Sequence, residues 1–308
     1  KTLVVAGFAA LMSTTAIAEN IGVSMARFDD NFLTVLRNGM QSYADENGID
    51  VQIEDAQDDV AKQLDQINNF IASGVDAIIV NAVDTNATEA MSAAAAAASI
   101  PLVYVNRQPV NMASLPDGQA FVASNEIESG TLAAFQMCQQ LRAEGKSGGA
   151  SAYVMMGQLS NQAAVQRTKD FHDVIGMDMC NFITIIDEQT ANWSRDEAAD
   201  LMTNWISSGE PFDAVFANND EMAIGAIQAM KASGISMDAV VVGGVDATSD
   251  ALVAMQAGEM DVTVFQDLAG QGAGSIDTAI KLAAGEAVDK TVFIPFKLVT
   301  PANLGDFQ

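Results

Sequence analysis

The sequence contains polar and aromatic side chains of the types that bind hydroxyl groups, and most of them directly follow short apolar runs. Arg107 and Arg167 can each direct parallel N–H donors at neighbouring oxygen atoms, and carboxylate and amide groups can accept or donate in return. Aromatic rings can cover the apolar C–H face of a ring-shaped molecule. The candidate ligand-binding residues are Phe28, Asp30, Asn31, Phe32, Asn106, Arg107, Arg167, Trp193, Asn219, Asp246 and Gln266. This chemistry predicts non-covalent binding of a sugar or cyclitol, although one of the two phenylalanines could equally belong to the core.

These side chains must be positioned by alternating strands and helices. Apolar positions recur at helical spacing over residues 31–47 and 59–73. β-branched runs indicate strands at 21–25, 49–53, 77–80, 152–156, 182–186, 214–217 and 240–243. Strand–helix–strand repetition predicts an α/β fold of parallel sheets, with right-handed crossovers and helices on both faces.

A weak internal repeat indicates two similar halves. Residues 69–81 and 204–218 each contain a helix end, a glycine and a buried strand that ends in asparagine. Open parallel sheets bind ligands at the carboxyl ends of their strands. Two facing doubly wound halves would therefore place their strand-end loops, and the candidate residues in them, on one shared cleft.

Charge and hydropathy narrow the class of protein. The net charge of −26 repels phosphate backbones and anionic membrane surfaces, so we expect no nucleic-acid partner and no membrane insertion. Residues 1–18 have the basic start, the apolar run and the small-residue end of a secretory signal peptide. The sequence therefore predicts an exported protein whose mature chain begins at Glu19.

The two cysteines also have an expected arrangement. Cys138 lies late on a predicted helix, and Cys180 lies just before the predicted strand near residue 182. An even pair in a protein sent to an oxidising compartment favours a disulfide, which would close a loop of about 42 residues. Two buried free thiols are the alternative.

The residue types give little support for a catalytic site. His172 is the only histidine and lies among charged residues on a helix, which is typical of a solvated surface position. The adjacent pairs Asp29–Asp30 and Asp58–Asp59 could suggest the two carboxylates of a glycosidase, but such pairs are more typical of turns and helix caps. We therefore expect no enzyme activity, no metal site and no cofactor.

Seven short segments, taken in chain order, resemble one protein family. They are Phe28-Asp29-Asp30-Asn31-Phe32, Val105-Asn106-Arg107, Arg167, Asn192-Trp193-Ser194-Arg195, residues 219–226, Val245-Asp246 and Gln266. The segments are similar to those of the ribose-type periplasmic sugar-binding proteins of bacterial ABC importers, and the resemblance covers essentially the whole mature chain. It implies ligand contacts from the candidate residues on both lobes, with Gln266 at the hinge.

The resemblance further implies the periplasmic binding protein type I fold, in which two lobes are joined by three chain crossings. The expected crossings lie near residues 124, 266 and 296. The N-terminal lobe would then comprise residues 19–124 and 267–296, and the C-terminal lobe residues 125–266 and 297–308. The expected protein is a monomer that delivers its ligand to an ABC permease in the inner membrane.

Departures from the ribose-binding pattern narrow the expected ligand. Asn106 stands where ribose binders usually have aspartate, Trp193 stands where they usually have phenylalanine, and residues 28–32 differ from Asn-Asn-Pro-Phe-Phe. These choices, with segments 188–193 and 295–301, look more like the inositol and rhizopine branch. The resemblance thus favours myo-inositol or a related inositol or inosamine. Alternatives are a pentose or hexose such as ribose or galactose, with presentation of the ligand to a chemoreceptor also open.

Overall fold

The computed structural model describes residues 19–308, so the signal peptide expected at residues 1–18 lies outside the described part of the chain. Within the described part, no helix is both long enough and apolar enough to cross a membrane. The strands and helices alternate as the periodicity predicts.

The first half of the chain forms a parallel sheet with three of its helices. Its strands are β1 (Asn20–Met25), β2 (Asp50–Asp55), β3 (Ala77–Val80), β4 (Leu102–Val105) and β5 (Gln119–Ala123). The helices between them are α1 (Asn31–Asn47), α2 (Val60–Ser73) and α3 (Thr88–Ala97). Asp59 lies before α2 and its carboxylate accepts hydrogen bonds from the N–H groups of Ala61 and Lys62, which confirms its predicted role as a helix cap.

The second half repeats this arrangement. It contains α4 (Glu126–Ala143), β6 (Ala150–Met156), α5 (Gln162–Ile175), β7 (Ile183–Thr190), α6 (Arg195–Ser208), β8 (Ala214–Ala217), α7 (Asp220–Ala232), β9 (Val241–Gly243) and α8 (Ser249–Gln256). The strand order is β2-β1-β3-β4-β5 in the first sheet and β7-β6-β8-β9 in the second, with all of these pairs parallel. In both sheets the order reverses direction after the first strand, which is where such folds bind ligands.

The last segment of the chain returns to both sheets. It contains β10 (Thr263–Phe265), α9 (Leu268–Ala283), β11 (Thr291–Phe293) and β12 (Lys297–Val299). Strand β11 pairs with β5 in the first sheet, whereas β12 pairs with β10 beside the second sheet. The chain therefore passes between the two sheets after β5, after β10 and after β11. The lobe boundaries at residues 124, 266 and 296 stay predictions.

Each sheet is buried on both faces because helices cover both. In β3 and β4, Ile79 and Val103 pack with α1 and α9, while Ile78 and Leu102 point to the other face and pack with α2 and α3. The second sheet divides in the same way between a cluster with α4 and α5 and a cluster with α6, α7 and α8. This double coverage explains why the central strands β3, β4 and β8 are continuous apolar runs.

The two cysteines form a disulfide, as the sequence favoured. Cys138 on α4 is bonded to Cys180, with 5.7 Å between their Cα atoms, and both side chains are buried. The bond ties the late part of α4 to the turn that precedes β7. The alternative of two free thiols is therefore set aside.

Candidate functional site

A cavity lies between the two sheets at the carboxyl ends of their strands. About 400 Å³ of empty space lies between its side chains, part of it open to solvent. Nine of the eleven candidate residues line it, namely Asp30, Phe32, Asn106, Arg107, Arg167, Trp193, Asn219, Asp246 and Gln266. The remaining lining residues are Leu33, Glu126, Asn161 and Ala163.

Three helices begin at the cavity, and each begins with a polar cap that lines it. Asp30 accepts a hydrogen bond from the N–H of Leu33 at 2.8 Å at the start of α1. Asn161 and Asn219 do the same at the starts of α5 and α7. A helix start carries partial positive charge, so the three termini favour acceptor oxygens in the cavity. The caps are thus both structural residues and part of the cavity wall.

Arg167 is held in place by the carboxylate of Glu126, which is not among the candidate residues. Glu126, in the first turn of α4, accepts hydrogen bonds from Nε and Nη2 of Arg167 at 2.8 and 3.1 Å. Nη1 donates to the carbonyl of Asn218 at 2.7 Å. Both side chains of the pair are buried. Burial acts to lower the pKa of Arg167, but Glu126 and Asp246 raise it, and the net direction is upward.

The ion pair between Glu126 and Arg167 depends on the close approach of α4 and α5. A Cβ on Gly130 of α4 would lie 2.8 Å from the Cα of Arg167, so no larger residue fits between the helices here. Glycine on α4 therefore lets the two helix backbones come close enough for Glu126 to reach the guanidinium.

Arg107 has a different environment, although it is equally buried at 4% exposure. Its Nη1 donates to the carbonyl oxygens of Ala82 and Val83 at 2.8 and 3.4 Å. Within residues 19–308, no carboxylate oxygen lies within 4.0 Å of its guanidinium nitrogens. Burial lowers the pKa of Arg107 to about 10, so the group stays charged at neutral pH. Its remaining donors are therefore available to a ligand.

Asp246 supplies a carboxylate whose oxygen atoms can still accept hydrogen bonds from a ligand. Its nearest cationic atom is Nη1 of Arg167, at 3.8 Å, which is too long for a hydrogen bond. Burial raises the pKa of Asp246 well above its usual range, and Arg167 opposes that rise. A ligand that donates hydrogen bonds to Asp246 would stabilise its ionised form.

The loops that carry the site residues contain unusual backbone conformations. Asn106 has φ of 65°, Trp193 has φ of 66° and Asp246 has φ of 124°, although side chains rarely favour positive φ. Such conformations persist where the surrounding structure fixes them, and they concentrate at binding sites. These three residues lie in the loops that follow β4, β7 and β9, which are among the strand-end loops expected to bind the ligand.

Two buried donors at the cavity have no protein partner within residues 19–308. They are Nε1 of Trp193 and Nε2 of Gln266. A buried N–H group without an acceptor costs free energy, so both favour an acceptor oxygen nearby. Both residues also line the cavity, where a ligand oxygen could accept these hydrogen bonds.

Phe28 and Asn31 were expected at the site, but neither lines the cavity. The ring of Phe28 packs against the core beside α1 and has the guanidinium of Arg37 over its face at 4.0 Å, so of the two phenylalanines only Phe32 lines the cavity. Asn31 reaches across the cleft mouth, where its Nδ2 donates to Oε1 of Glu221 at 3.0 Å.

A second pair of contacts also bridges the cleft. The backbone N–H and the hydroxyl of Thr85 both donate to the carbonyl of Ser160 at 3.1 Å. Glu221 is held by Arg195, whose Nε and Nη2 donate to it at 2.8 and 3.0 Å. We call the Asn31–Glu221 and Thr85–Ser160 hydrogen bonds the cross-cleft contacts. They join the two halves directly in this structure.

The residues that sequence reasoning missed differ in how they could have been found. Asn161 caps α5 and Ala163 lies in the first turn of that helix, directly after the loop that follows β6, so the topology argument reaches both. Glu126 follows β5, a strand that the sequence patterns do not indicate, and an acidic residue in the first turn of a helix is common for electrostatic reasons alone.

His172 pairs with Glu188 on the surface, as a solvated histidine would. Within residues 19–308, no group of three or more potential ligands could hold a metal ion.

The buried carboxylates predict a pH dependence of stability. Burial raises the pKa of Asp220 to about 7, and that of Asp246 is also raised. In the unfolded chain both titrate near 4, so between about pH 4 and 7 the folded state holds more protons and ligand-free stability falls as pH rises. We expect Asp220→Asn to flatten this slope in thermal unfolding from pH 5 to 8. If stability changed with pH equally in the variant and the unmodified protein, the raised pKa of Asp220 would be contradicted.

A family model described as periplasmic binding protein domain matches residues 21–287. The chain belongs to the periplasmic binding protein family. As a member of that family it is a binding protein and not an enzyme, and its two parallel sheets form the type I periplasmic binding protein fold.

Two relatives match this periplasmic binding protein over most of its length. It is 64% identical over 301 residues to the Rhizobium meliloti protein named "Putative rhizopine-binding protein", with 97% of this chain and 96% of that protein covered. It is 30% identical to the ribose import binding protein RbsB of Bacillus subtilis, over 91% of this chain and 87% of the relative.

A solved structure also superimposes closely. An ABC transporter solute binding protein from Bacillus halodurans with bound myo-inositol gives a TM-score of 0.85 at 39% identity, covering 94% of this chain and 96% of that one. The myo-inositol binding protein of Caulobacter gives a TM-score of 0.84 at 26% identity, covering 93% and 95%.

Proposed function

We propose that this protein is the solute-binding component of an ABC importer and that it captures a cyclitol, either myo-inositol or an inositol that carries an amino group. The observation that carries the proposal is the convergence of two guanidinium groups, three carboxylates and an indole ring on one cavity between the two sheets. Ring hydroxyls need both donors and acceptors, and the C–H faces of the ring need an apolar wall.

The distribution of donors and acceptors suits a molecule that is hydroxylated all around its ring. Arg107 and the unpaired N–H groups of Trp193 and Gln266 offer donors, while Asp246 and Asp30 offer acceptors. Because a hydroxyl can donate and accept at once, each one can bridge groups of both kinds. A charged ligand without hydroxyl groups would leave part of this set unpaired.

The carboxylate of Asp246 favours a ligand amino group. Of the three carboxylates that line the cavity, Asp30 is paired with Arg27 at 2.8 Å and Glu126 with Arg167 at 2.8 Å. The nearest cationic atom to Asp246 is Nη1 of Arg167 at 3.8 Å, so an ammonium group that donates a hydrogen bond to Asp246 would be stabilised by its charge. An amino-inositol is therefore expected to bind more tightly than the neutral inositol.

The relatives support the same ligand class. The protein with 64% identity is named for rhizopine, and the structure with 39% identity holds myo-inositol. The runner-up is a sugar such as ribose or galactose, which is favoured by the relatives near 30% identity that are named for those sugars. Trp193 favours the cyclitol because an indole provides a larger apolar face than the phenyl ring usual in ribose binders.

In this proposal the two halves are lobes that close around the ligand, with the chain crossings near residues 124, 266 and 296 as the hinge. The ligand contacts both lobes and so stabilises the closed form. The protein works in the periplasm as a monomer, and the closed form is recognised by the membrane permease.

A thermal-shift panel of inositols, amino-inositols, pentoses and hexoses tests the proposed ligand. A ligand at one hundred times its Kd stabilises the native state by about 2.7 kcal/mol, which is readily detected as a rise in Tm. We expect inositols to raise Tm, amino-inositols to raise it further at equal concentration, and ribose and galactose to have little effect. A shift with ribose or galactose alone would replace the cyclitol by the runner-up.

A further inference from the structure

Gly157 lies beside the indole that forms one wall of the cavity. It directly follows β6, and its peptide groups are fixed on both sides. Its N–H donates to Oδ1 of Asn218 at 3.1 Å, and its carbonyl accepts from the hydroxyl of Thr190 at 2.9 Å. The backbone of Gly157 is therefore not free to move away from a crowded neighbour.

The space next to Gly157 is filled by Trp193. A Cβ at position 157 would lie 2.2 Å from both Cε2 and Cζ2 of the indole and 2.4 Å from Cδ2. These separations are far below the 3.5–4.0 Å at which carbon atoms attract each other. Gly157 is not among the glycines with positive φ, so backbone conformation does not explain the residue type. Contact with the indole does.

Trp193 has little freedom to accommodate such a change. Its side chain is 8% exposed, and its backbone has the positive φ described above. The guanidinium carbon of Arg167 lies 5.7 Å from its ring centroid. Any displacement of the ring away from Gly157 would change both the wall it presents to the cavity and its position relative to Arg167.

We propose that Gly157 is a specificity-determining residue, because only glycine at this position admits an indole at position 193 and so gives the cavity a wall matched to a cyclitol ring. This proposal rests on the proposed function for the identity of the ligand. Its steric part, the dependence of the indole on Gly157, is independent of which ligand binds.

A double-mutant cycle tests the proposal. The variants are Gly157→Ala, Trp193→Phe and the combination of both, and the measurements are calorimetric affinities for myo-inositol and ribose. Gly148→Ala is the matched control, since a Cβ there meets no atom within 4 Å. Gly157→Ala is expected to weaken myo-inositol binding by about tenfold or more and to lower the ratio of myo-inositol to ribose affinity. Gly148→Ala should leave both unchanged.

The combined variant distinguishes a steric clash with the indole from general damage. A phenyl ring is smaller than an indole and can shift away from position 157, so adding Gly157→Ala to Trp193→Phe should lower affinity and Tm much less than Gly157→Ala does in the unmodified protein. Equal losses from Gly157→Ala in both backgrounds, or unchanged binding by Gly157→Ala, would overturn the proposal.

Two further outcomes are decided by Tm. If Gly157→Ala does not fold, a combined variant that folds and resembles Trp193→Phe supports the proposal, and one that also fails to fold overturns it. If the unmodified protein binds neither myo-inositol nor an amino-inositol, the proposed ligand class is wrong, while the coupling between the two positions in the Tm of the ligand-free variants still decides the role of Gly157.

Discussion

Replacing Arg167 with alanine is expected to lower the free energy of unfolding by about 3–5 kcal/mol and to weaken ligand binding by about 2 kcal/mol or more. The first effect arises because Glu126 would keep a buried carboxylate after losing two charge-assisted hydrogen bonds. The second arises because a cationic donor is removed from the cavity. Urea unfolding measures the stability, and calorimetry on the remaining folded protein measures the affinity.

Arg107→Ala is the matched control for that variant. Arg107 is as deeply buried as Arg167 but has only carbonyl oxygens as close partners, so no buried carboxylate loses its counter-charge. We expect a similar loss of affinity with a much smaller loss of stability. Replacing both members of the ion pair by uncharged residues, with Glu126→Gln and Arg167→Met in one variant, should recover most of the stability without recovering ligand binding. Full stability in Arg167→Ala would show that the pair is not coupled as the geometry indicates.

Removing the disulfide with Cys138→Ala and Cys180→Ala is expected to destabilise the protein by about 3–4 kcal/mol while leaving ligand affinity unchanged. The loss follows from the unfolded chain, which regains the freedom of a loop with a sequence separation of 42 residues. Affinity is spared because Cys138 lies twelve residues after Glu126 on the same helix, or about 18 Å along its axis. Cys180 likewise lies before β7, whereas Trp193 follows that strand.

Urea unfolding of the oxidised protein, the reduced protein and the double variant measures this effect. The reduced protein is the control, since reduction opens the same loop without changing any residue type. A double variant that unfolds at the same urea concentration as the oxidised protein would contradict the prediction, as would a large change in Kd.

The sequence was sufficient to predict the fold because the relevant signals are local. The apolar periods at 31–47 and 59–73 match α1 and α2, and the repeat around residues 69–81 and 204–218 matches two sheets of the same strand order. The loops that follow the strands were then predictable as a cleft from topology alone. Nine of the candidate residues line one cavity for this reason.

What the sequence could not supply are contacts decided by packing between distant elements. Glu126 reaches Arg167 only because Gly130 lets α4 and α5 approach closely, and no local pattern encodes that distance. Phe28 and Phe32 are four residues apart and both pack against the same core cluster, yet only Phe32 also lines the cavity, which their spacing does not predict. Asn31 was expected to face the ligand, but its amide is oriented by Glu221 from the opposite half.

The cross-cleft contacts have a kinetic consequence. They are made between protein atoms only, so in the closure proposed above an empty molecule can also form them. A shut, empty molecule cannot admit a solute, and the observed association rate is therefore reduced by the fraction of time that the molecule spends shut. The same hydrogen bonds must break before a bound solute escapes, which lengthens its residence time. Prompt unloading then requires that the membrane permease, after it has recognised the closed form, supplies the free energy that breaks these hydrogen bonds.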